Sequence, residues 1–290
     1  PSLCRKRRQK IQENQIDRTR NRSLPIQQMK IKILTLFPDF YKEFLNSSII
    51  GRAVSKKIVD IEIINIRNYS LDKNHRVDDH PIGGGAGLIM RLEPLLDCMR
   101  SNTSQKTYKI LMGPKGHTYT QSDSKRLAKM DEICLICGHY EGIDSRFNDY
   151  IDEEISIGDF ILTGGEIPAM AITDSIVRLL KGAIADDSTL EESFNGGILE
   201  YPQYTYPDEY EGKEVPKILY CGNHQIIGEY RRKEAIRITM ENRPDLFSKM
   251  KYTKKDAAYI SALKNGENGL TDKEKEAIEK GKRFLKNKTK

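Results

Sequence analysis

Strand-like and helix-like hydrophobic patterns alternate along the chain from Met29 to about Leu180. Continuous apolar runs predict strands at 31–37, 59–66, 108–114, 132–138 and 154–165. Apolar residues at helical spacing predict helices at 39–57, 92–102, 120–130 and 167–183. Because the two kinds of element alternate, the sequence predicts an α/β fold, with a mostly parallel sheet that is covered by helices on both faces.

Two glycine-bearing stretches interrupt this pattern. The stretch 75–90 is predicted to be a loop, because five of the seven residues from 81 to 87 are glycine or proline. The stretch 185–197 is acidic and polar and is predicted to join two domains. The predicted organisation is a disordered leader or tag (1–28), an α/β domain (29–185), a flexible linker (186–197), a small helical domain (198–250) and a lysine-rich helical tail (251–290).

Positive charge is concentrated at the two ends of the chain. The net charge is +6, yet residues 1–28 alone hold eight Lys/Arg and two Asp/Glu, and residues 249–290 hold 13 Lys/Arg and six Asp/Glu. The stretch between them is net acidic, so a nucleic-acid partner requires a local basic surface. Candidates for phosphate contact are the lysine-rich tail and the helical pattern at 223–244, where Arg231, Arg232, Lys233 and Arg237 cluster. A solvated helix face is the alternative for each of these residues. A basic RNA-binding arm is the alternative to a disordered leader.

The sequence gives little support for a membrane protein or for a metal-binding site. It has no apolar run of 18 residues and no apolar N-terminal stretch, so we expect a cytoplasmic protein without a membrane partner. The odd number of cysteines, five, agrees with a reducing compartment. Cys134 and Cys137 form a CxxC motif without a second ligand pair, and we interpret them as buried core residues. A zinc or redox site is the alternative.

Three predicted strands end in glycine-bearing turns, at 112–116, 138–142 and 163–169, which we call the first, second and third turns. Ligands of α/β proteins bind at the carboxyl ends of the strands, so these turns predict one shared ligand site. The sequence contains neither GxGxxG after the first strand nor GxxxxGK[ST]. Glu141, Asp159 and Glu166 lie in or near the turns, which favours a neutral or cationic ligand over a phosphate. The alternative for each carboxylate alone, which any one of them fits better, is a solvated loop residue or a charge at a helix N-terminus.

Long motifs in this region resemble a known family. The segments "VDDHPIGGGAGLIM", "GPKG", "GHYEGIDSRF", "ISIGDFILTGGEIPAMAITDSIVR", "EESFNGGILEYPQYTYP" and "CGNHQIIGEYRRKEAI" are similar, in order, to bacterial tRNA (guanine-N1)-methyltransferases of the TrmD type. The resemblance spans Met29 to about Phe247. It implies a SPOUT-type fold with a deep C-terminal trefoil knot, an obligate homodimer, and transfer of the methyl group of S-adenosylmethionine to N1 of guanosine 37 of tRNA.

The resemblance also implies roles for individual residues. The catalytic pair is Arg178 and a carboxylate, for which Glu192 stands where the family usually has Asp. Glu191, Asp186 and Asp187 are alternatives for the carboxylate, and a surface ion pair with Asp174 is the alternative for Arg178. The residues expected to bind the cofactor are Leu111, Met112, Gly113, Pro114, Gly116, Gly138, Tyr140, Glu141, Ser156, Ile157, Gly158, Phe160, Ile161, Leu162, Gly164, Gly165 and Pro168.

Substrate contacts are expected in both domains. The residues implied to bind tRNA are Asp78, Pro81, Gly83, Gly87, His224 and Arg231. The chain departs from the usual family pattern at His80, Ile82, His139 and Tyr230. The magnesium that the family favours has no visible ligand cluster. Three other functional classes are the alternatives: another SPOUT methyltransferase that acts on ribose or rRNA, a non-catalytic RNA-binding module, and a nucleotide-binding oxidoreductase.

Overall fold

The computed structural model describes residues 28–184 and 192–288, which fall into two compact units divided between Ala185 and Asp186. The predicted leader and most of the predicted linker lie outside the described residues. So do the alternative carboxylates Asp186, Asp187 and Glu191. Within the described part, no helix is both long enough and apolar enough to cross a membrane.

The N-terminal unit alternates strands and helices, as its hydrophobic pattern predicts. Its strands are β1 (Met29–Thr35), β2 (Val59–Asn65), β3 (Asp78–Asp79), β4 (Ile89–Met90), β5 (Tyr108–Thr118), β6 (Glu132–Cys137) and β7 (Glu153–Ser156). Its α-helices are α1 (Lys42–Asn46), α2 (Ser48–Ser55), α3 (Leu92–Asn102), α4 (Gln121–Leu127) and α5 (Glu166–Val177). The predicted α/β class is confirmed.

Five of the strands form one parallel sheet in the order β2-β1-β6-β5-β7. The central strands are continuous apolar runs because both of their faces are covered. In β6 the alternation of side chains sends Ile133 and Leu135 to the face packed by α2 and α5, and Ile136 to the face packed by α3. Each fully buried Ile or Leu of this kind contributes about 1.5–3 kcal/mol to the free energy of folding.

The CxxC cysteines are buried core residues, as predicted. Cys134 packs into the core on one face of the sheet and Cys137 into the core on the other. Residues three apart in a strand necessarily point to opposite faces, so these two thiols cannot bind one metal ion or form a disulfide. Burial raises the pKa of both thiols above the ordinary value.

Two predicted elements are interrupted. The helix predicted at 39–57 is a 3-10 turn (Pro38–Tyr41) followed by α1 and α2, because Ser48 has a φ of 51° and breaks the helix between them. The strand predicted at 154–165 ends at Ser156, because Gly158 has a φ of 149°, which only glycine adopts readily. The residues from 157 to 165 are therefore loop, and they carry part of the predicted site.

The C-terminal unit is mainly helical, as predicted. Its elements are a two-residue hairpin, β8 (Glu209–Tyr210) and β9 (Lys213–Glu214), and the helices α6 (His224–Asn242), α7 (Pro244–Phe247), α8 (Lys254–Lys264) and α9 (Asp272–Lys288). Asn223 caps α6 by accepting from the backbone N–H groups of Gln225 and Ile226. A core of its own forms around Ile236 of α6 and Ile260 of α8.

Candidate active site

The first turn lies within β5, where the pairing with β7 shifts register between Met112 and His117. The chain there passes so close to Glu154 of β7 that a Cβ on Gly113 would overlap the carboxylate, and a Cβ on Gly116 would overlap the Glu154 backbone. The carboxylate also accepts the backbone N–H of Lys115 at 3.1 Å. Glycine is required at this turn because two backbones approach each other closely.

The second turn is joined to the glycine loop at 75–90. The backbone N–H of Glu141 donates to Leu88 O at 3.0 Å, and Met90 N–H donates to Gly142 O at 2.9 Å. A Cβ on Gly87 would overlap the Glu141 side chain. Tyr140 adopts a left-handed φ of 60° to make this turn, a conformation that costs on the order of 1 kcal/mol for a non-glycine residue.

The third turn crosses the carboxyl end of β6 and contacts the second turn. The backbone N–H of Gly165 donates to Gly138 O at 2.8 Å, and Gly164 forms a bridge with His139. A Cβ on Gly165 would stand 2.7 Å from the Cα of Cys137, closer than real atoms come. This contact leaves space only for glycine, and it brings all three turns to one edge of the sheet.

The three turns surround a cleft of about 1160 Å³. All the predicted cofactor residues line it except Gly116, which packs behind the first turn against Glu154. Among the predicted substrate residues of this unit, Pro81 lines the cleft, whereas Asp78, Gly83 and Gly87 do not. The lining is rich in backbone groups of tight turns, which suits a ligand that is recognised through hydrogen bonds to peptide groups.

The three carboxylates near the turns are placed differently from one another. Glu141 lines the cleft. Glu166 is only 6% exposed and accepts the Thr35 hydroxyl at 2.8 Å. It lies in the first turn of α5, as the helix N-terminus alternative predicts, and its side chain turns inward beneath the third turn instead of lining the cleft. Asp159 is exposed and lies outside the lining, whereas Glu154, which the pattern did not single out, lies in it.

Comparison with known proteins identifies the family of this chain. The family model "tRNA (Guanine-1)-methyltransferase TrmD" matches residues 29–249. The chain belongs to the TrmD family. It is 49% identical over 235 residues to the tRNA (guanine-N(1)-)-methyltransferase of Clostridium tetani, covering 80% of this chain and 98% of the relative. A relative of the same name from Clostridium beijerinckii is 48% identical over 242 residues, covering 83% of this chain and all of the relative.

Membership of the TrmD family makes the chain a tRNA (guanine-N1)-methyltransferase. The two predicted catalytic residues lie in different units of the structure. Arg178 is half-buried and forms the C-cap of α5, where its backbone N–H donates to Asp174 O at 3.1 Å. The twelve-residue helix places it about 18 Å along the axis from the third turn of the same unit. Glu192 lies in the C-terminal unit, just outside a tight turn at Phe194.

The C-terminal unit has a cavity of its own, of about 780 Å³. Glu192, His224 and Arg231 all line it, so the structure brings these three predicted residues together. Aromatic side chains surround them, and the Arg231 guanidinium lies 4.7 Å from the ring centroid of Tyr201. An arginine stacked on an aromatic ring keeps its donors available for phosphate or carbonyl oxygens.

The predicted basic cluster on α6 is mostly paired within the unit. Arg237 contacts Glu234 at 2.7 Å and Glu241 at 2.9 Å, so most of its charge is compensated. Lys233 binds the buried Glu274, and Arg232 binds Asp256. Arg231 is exposed and has no ion pair among the described residues. This cluster therefore offers less free positive charge than its spacing suggests.

The spacing of residues along the chain gave no indication of Glu154, Asp144 and Arg146. All three line the cleft. The Arg146 guanidinium binds Asp144 at 2.7 Å, and this hydrogen bond lowers the pKa of the Asp144 carboxyl below its usual value. Glu154 had no signal of its own, since only the pairing of β5 with β7 brings it to the first turn. Among residues 28–184 and 192–288, no three His, Cys, Asp or Glu side chains form a metal-binding group.

Proposed function

We propose that this protein transfers the methyl group of S-adenosylmethionine to N1 of guanosine 37 in tRNA, at an active site shared by two copies of the chain. The observation that carries the proposal is the convergence of three glycine turns on one cleft, in a chain that belongs to the TrmD family. Such a substrate also favours a cytoplasmic location, and the four described cysteines are buried free thiols.

The cleft fits S-adenosylmethionine by size and by chemistry. Its volume of about 1160 Å³ accommodates a ligand larger than a free nucleoside. Backbone groups of Gly138 and Gly165 lie where side chains would fill the space, and Glu141 and Glu154 supply negative charge to a sulfonium cation. When bound, the cofactor supplies an electrophilic methyl group and needs no phosphate loop.

Two side chains carry the proton chemistry. N1 of guanine loses its proton as it gains the methyl group, and we assign the Glu192 carboxylate as the base that accepts this proton. Arg178 donates hydrogen bonds to O6, where negative charge develops as N1–H ionises. A correctly placed general base of this kind accelerates proton transfer by about 10²–10⁴-fold. Glu192 is one methylene longer than Asp, which extends its reach without changing the chemistry.

The position of Arg178 supports a site made by two copies. Arg178 lies about 15 Å along the axis of α5 from Pro168, which lines the cleft, and this is further than an arginine side chain extends. A second copy placed in the opposite sense would bring its Arg178 to this cleft. Large apolar side chains beside the cleft are exposed in the single chain, with Ile82 at 100% and Ile161 at 86%. A partner that covers them would remove this apolar surface from water.

The path of the third turn supports a knotted chain. After β7 the backbone returns across the end of β6, where Gly165 N–H donates to Gly138 O, and only then enters α5. Such a crossing is what the trefoil knot of the SPOUT fold requires, although folding rules disfavour knots in general. We further propose that residues 198–250 contact the tRNA, with Arg231 and His224 on the cavity of that unit.

Transfer of labelled methyl from S-adenosylmethionine to two tRNA transcripts tests this function. One transcript carries G37 and the other A37, and the two are otherwise identical. We expect label in the G37 transcript only, with the product identified as 1-methylguanosine after digestion. Equal labelling of both transcripts, or label at another position of the G37 transcript, would contradict the proposal.

A further inference from the structure

Helix α9 (Asp272–Lys288) lies beyond the part of the chain that the family model matches, which ends at residue 249. Its charge is divided along its length. All four of its carboxylates lie between 272 and 279, whereas the stretch 280–288, KGKRFLKNK, has five basic residues and no acidic one. The proposed function leaves this basic half of α9 without a role.

The helix is fixed to the C-terminal unit through one face. Glu274 is 1% exposed and binds Lys233 at 2.5 Å, and Ala277 is buried against the short 3-10 helix at Lys217–Tyr220. Gly281 lies so close to Lys217 that a Cβ there would overlap the Lys217 carbonyl. The Phe284 ring stacks on Tyr220, at 6.3 Å between centroids. These contacts extend past the midpoint of α9, so its basic half is held in place.

The basic side chains project away from this face. At 100° per residue, the mean direction of Lys280, Arg283 and Lys286 lies about 140° from that of the buried positions 277 and 281, and Lys280 is the nearest of the three to the buried face. All three are exposed, and none has an ion pair with any residue in the described part of the chain. They follow the helix axis over about 9 Å. This row differs from the α6 cluster, where Arg232, Lys233 and Arg237 are paired.

We propose that the exposed row of Lys280, Arg283 and Lys286 on α9 is an additional binding surface for the phosphate backbone of tRNA. A row of exposed cations on a helix that is held in place is complementary to a polyanion, and its contacts with phosphates carry no sequence information. The row adds to the affinity for RNA outside the site of methyl transfer. The inference rests on the proposed function for the identity of its RNA.

The test is a triple variant of the full chain, Lys280→Gln, Arg283→Gln and Lys286→Gln, in which glutamine keeps the helix propensity. The matched control is Lys56→Gln, Lys106→Gln and Lys129→Gln. These exposed lysines precede β2, β5 and β6, at the sheet edge opposite the cleft, and the control changes net charge by the same amount. Equal melting temperatures of the two variants and the parent show that the fold is intact.

Binding of an unmodified G37 transcript is measured over a range of salt concentrations. For the triple variant we expect Kd to rise about 10- to 100-fold at 0.15 M salt. We also expect the slope of a plot of log Kd against the logarithm of the salt concentration to fall by about two to three. The control changes Kd by about twofold or less. The rate of methyl transfer at saturating tRNA is unchanged in both variants, since α9 is not part of the proposed catalytic site.

Two results would overturn the inference. One is an unchanged Kd and salt slope in the triple variant, and the other is an equal loss in both variants, which would indicate a long-range effect of net charge. Vesicles with and without phosphatidylserine are a second probe. If the parent binds the anionic vesicles, and the triple variant no longer binds them but still binds tRNA, the row would be assigned to a membrane surface instead. If the parent binds tRNA through this row but does not methylate G37, the proposed function fails while the RNA surface stands.

Discussion

The two cavities of this protein are built from different materials. The cleft of the N-terminal unit is lined largely by the backbone of tight turns, where Gly113 and Gly165 sit in contacts too close for a Cβ. The cavity of the C-terminal unit is walled by side chains, including Tyr201, Arg231 and Glu192. A backbone wall has one shape that the fold determines, whereas a side-chain wall can be changed residue by residue.

This difference predicts where substitutions are tolerated. At Gly165 a single added methyl group must move backbone, because its Cβ would stand 2.7 Å from Cys137 Cα. In the C-terminal cavity a side chain such as that of Glu192 or Arg231 can be exchanged without moving the backbone. The following predictions test this contrast, from the largest expected effect to the smallest.

Removing the proposed base should have the largest effect on catalysis. Glu192→Gln keeps the shape of the side chain but cannot accept a proton, so we expect kcat to fall by about 10²–10⁴-fold. The Kd for S-adenosylmethionine, measured by calorimetry, should not change, because the proposed cofactor site is the cleft of the N-terminal unit and Glu192 does not line that cleft. Glu200→Gln, in the same cavity, is the matched control and should keep nearly full activity. Normal turnover by Glu192→Gln would show that another group is the base.

Adding one methyl group should have opposite effects in the two units. At Gly165 the new Cβ would stand 2.7 Å from Cys137 Cα and 3.0 Å from Gly138 N. We expect Gly165→Ala to cost about 1–3 kcal/mol of stability and to weaken cofactor binding at least about tenfold. Gly228 of α6 has no atom within 4 Å of its Cβ position, so Gly228→Ala should raise stability by about 0.5–1 kcal/mol. Thermal unfolding and calorimetric titration measure both, and equal effects would contradict the contrast.

A charge change in the side-chain cavity should affect only tRNA. Arg231 stacks on Tyr201 and is exposed, so we expect Arg231→Gln to raise the KM for tRNA about 3- to 10-fold. The kcat at saturating tRNA and the Kd for the cofactor should stay unchanged. Arg243→Gln is a suitable comparison, because Arg243 is held by Asp245 at 2.6 Å. A loss of cofactor affinity in Arg231→Gln would contradict the assignment of Arg231 to tRNA binding alone.

The smallest effect concerns the buried thiols. Burial raises the pKa of Cys98 to about 12 and raises those of Cys134 and Cys137 as well, so the thiols stay protonated at pH 8. In a Cys4→Ser variant, a disulfide reagent at pH 8 should react with no thiol until the chain is unfolded in urea. A zinc chelator should leave the melting temperature unchanged. Rapid reaction of two native thiols, or a lower melting temperature, would support a redox or zinc site.

The elements with strong periodicity were predictable, and the close contacts between them were not. The sheet and most of its helices follow from apolar runs such as the one in β1, and the three turns follow from glycines at strand ends. The inward turn of Glu166 depends on its hydrogen bond with Thr35, which is 131 residues away. Glu154 reaches the first turn only through the irregular pairing of β5 with β7. Neither contact can be predicted from the spacing of residues along the sequence.

The basic residues show the same limit. Arg232, Lys233 and Arg237 were candidate phosphate ligands by spacing. The carboxylates that bind Arg232 and Lys233 come from α8 and α9, whereas Arg237 is paired within α6 itself. The lysines of the tail were candidate phosphate ligands, with a solvated helix face as the alternative, and only the packing of Gly281 and Phe284 shows that the helix which carries them is held in place. For Arg232 and Lys233, pairing between distant elements decides which charges remain available, and sequence spacing cannot report it.

The claim that the backbone cleft of one copy works with the side chains of another is tested most directly by mixing two inactive variants. Glu192→Gln keeps the cleft and lacks the base, whereas Gly165→Val lacks the cleft and keeps the base. After subunits exchange at random, half of the dimers are mixed, and each mixed dimer has one complete site if the site is shared. We expect methyl transfer to G37 to recover to about one quarter of the parent rate. No recovery, with mixed dimers demonstrated by differently tagged chains, would contradict the shared site.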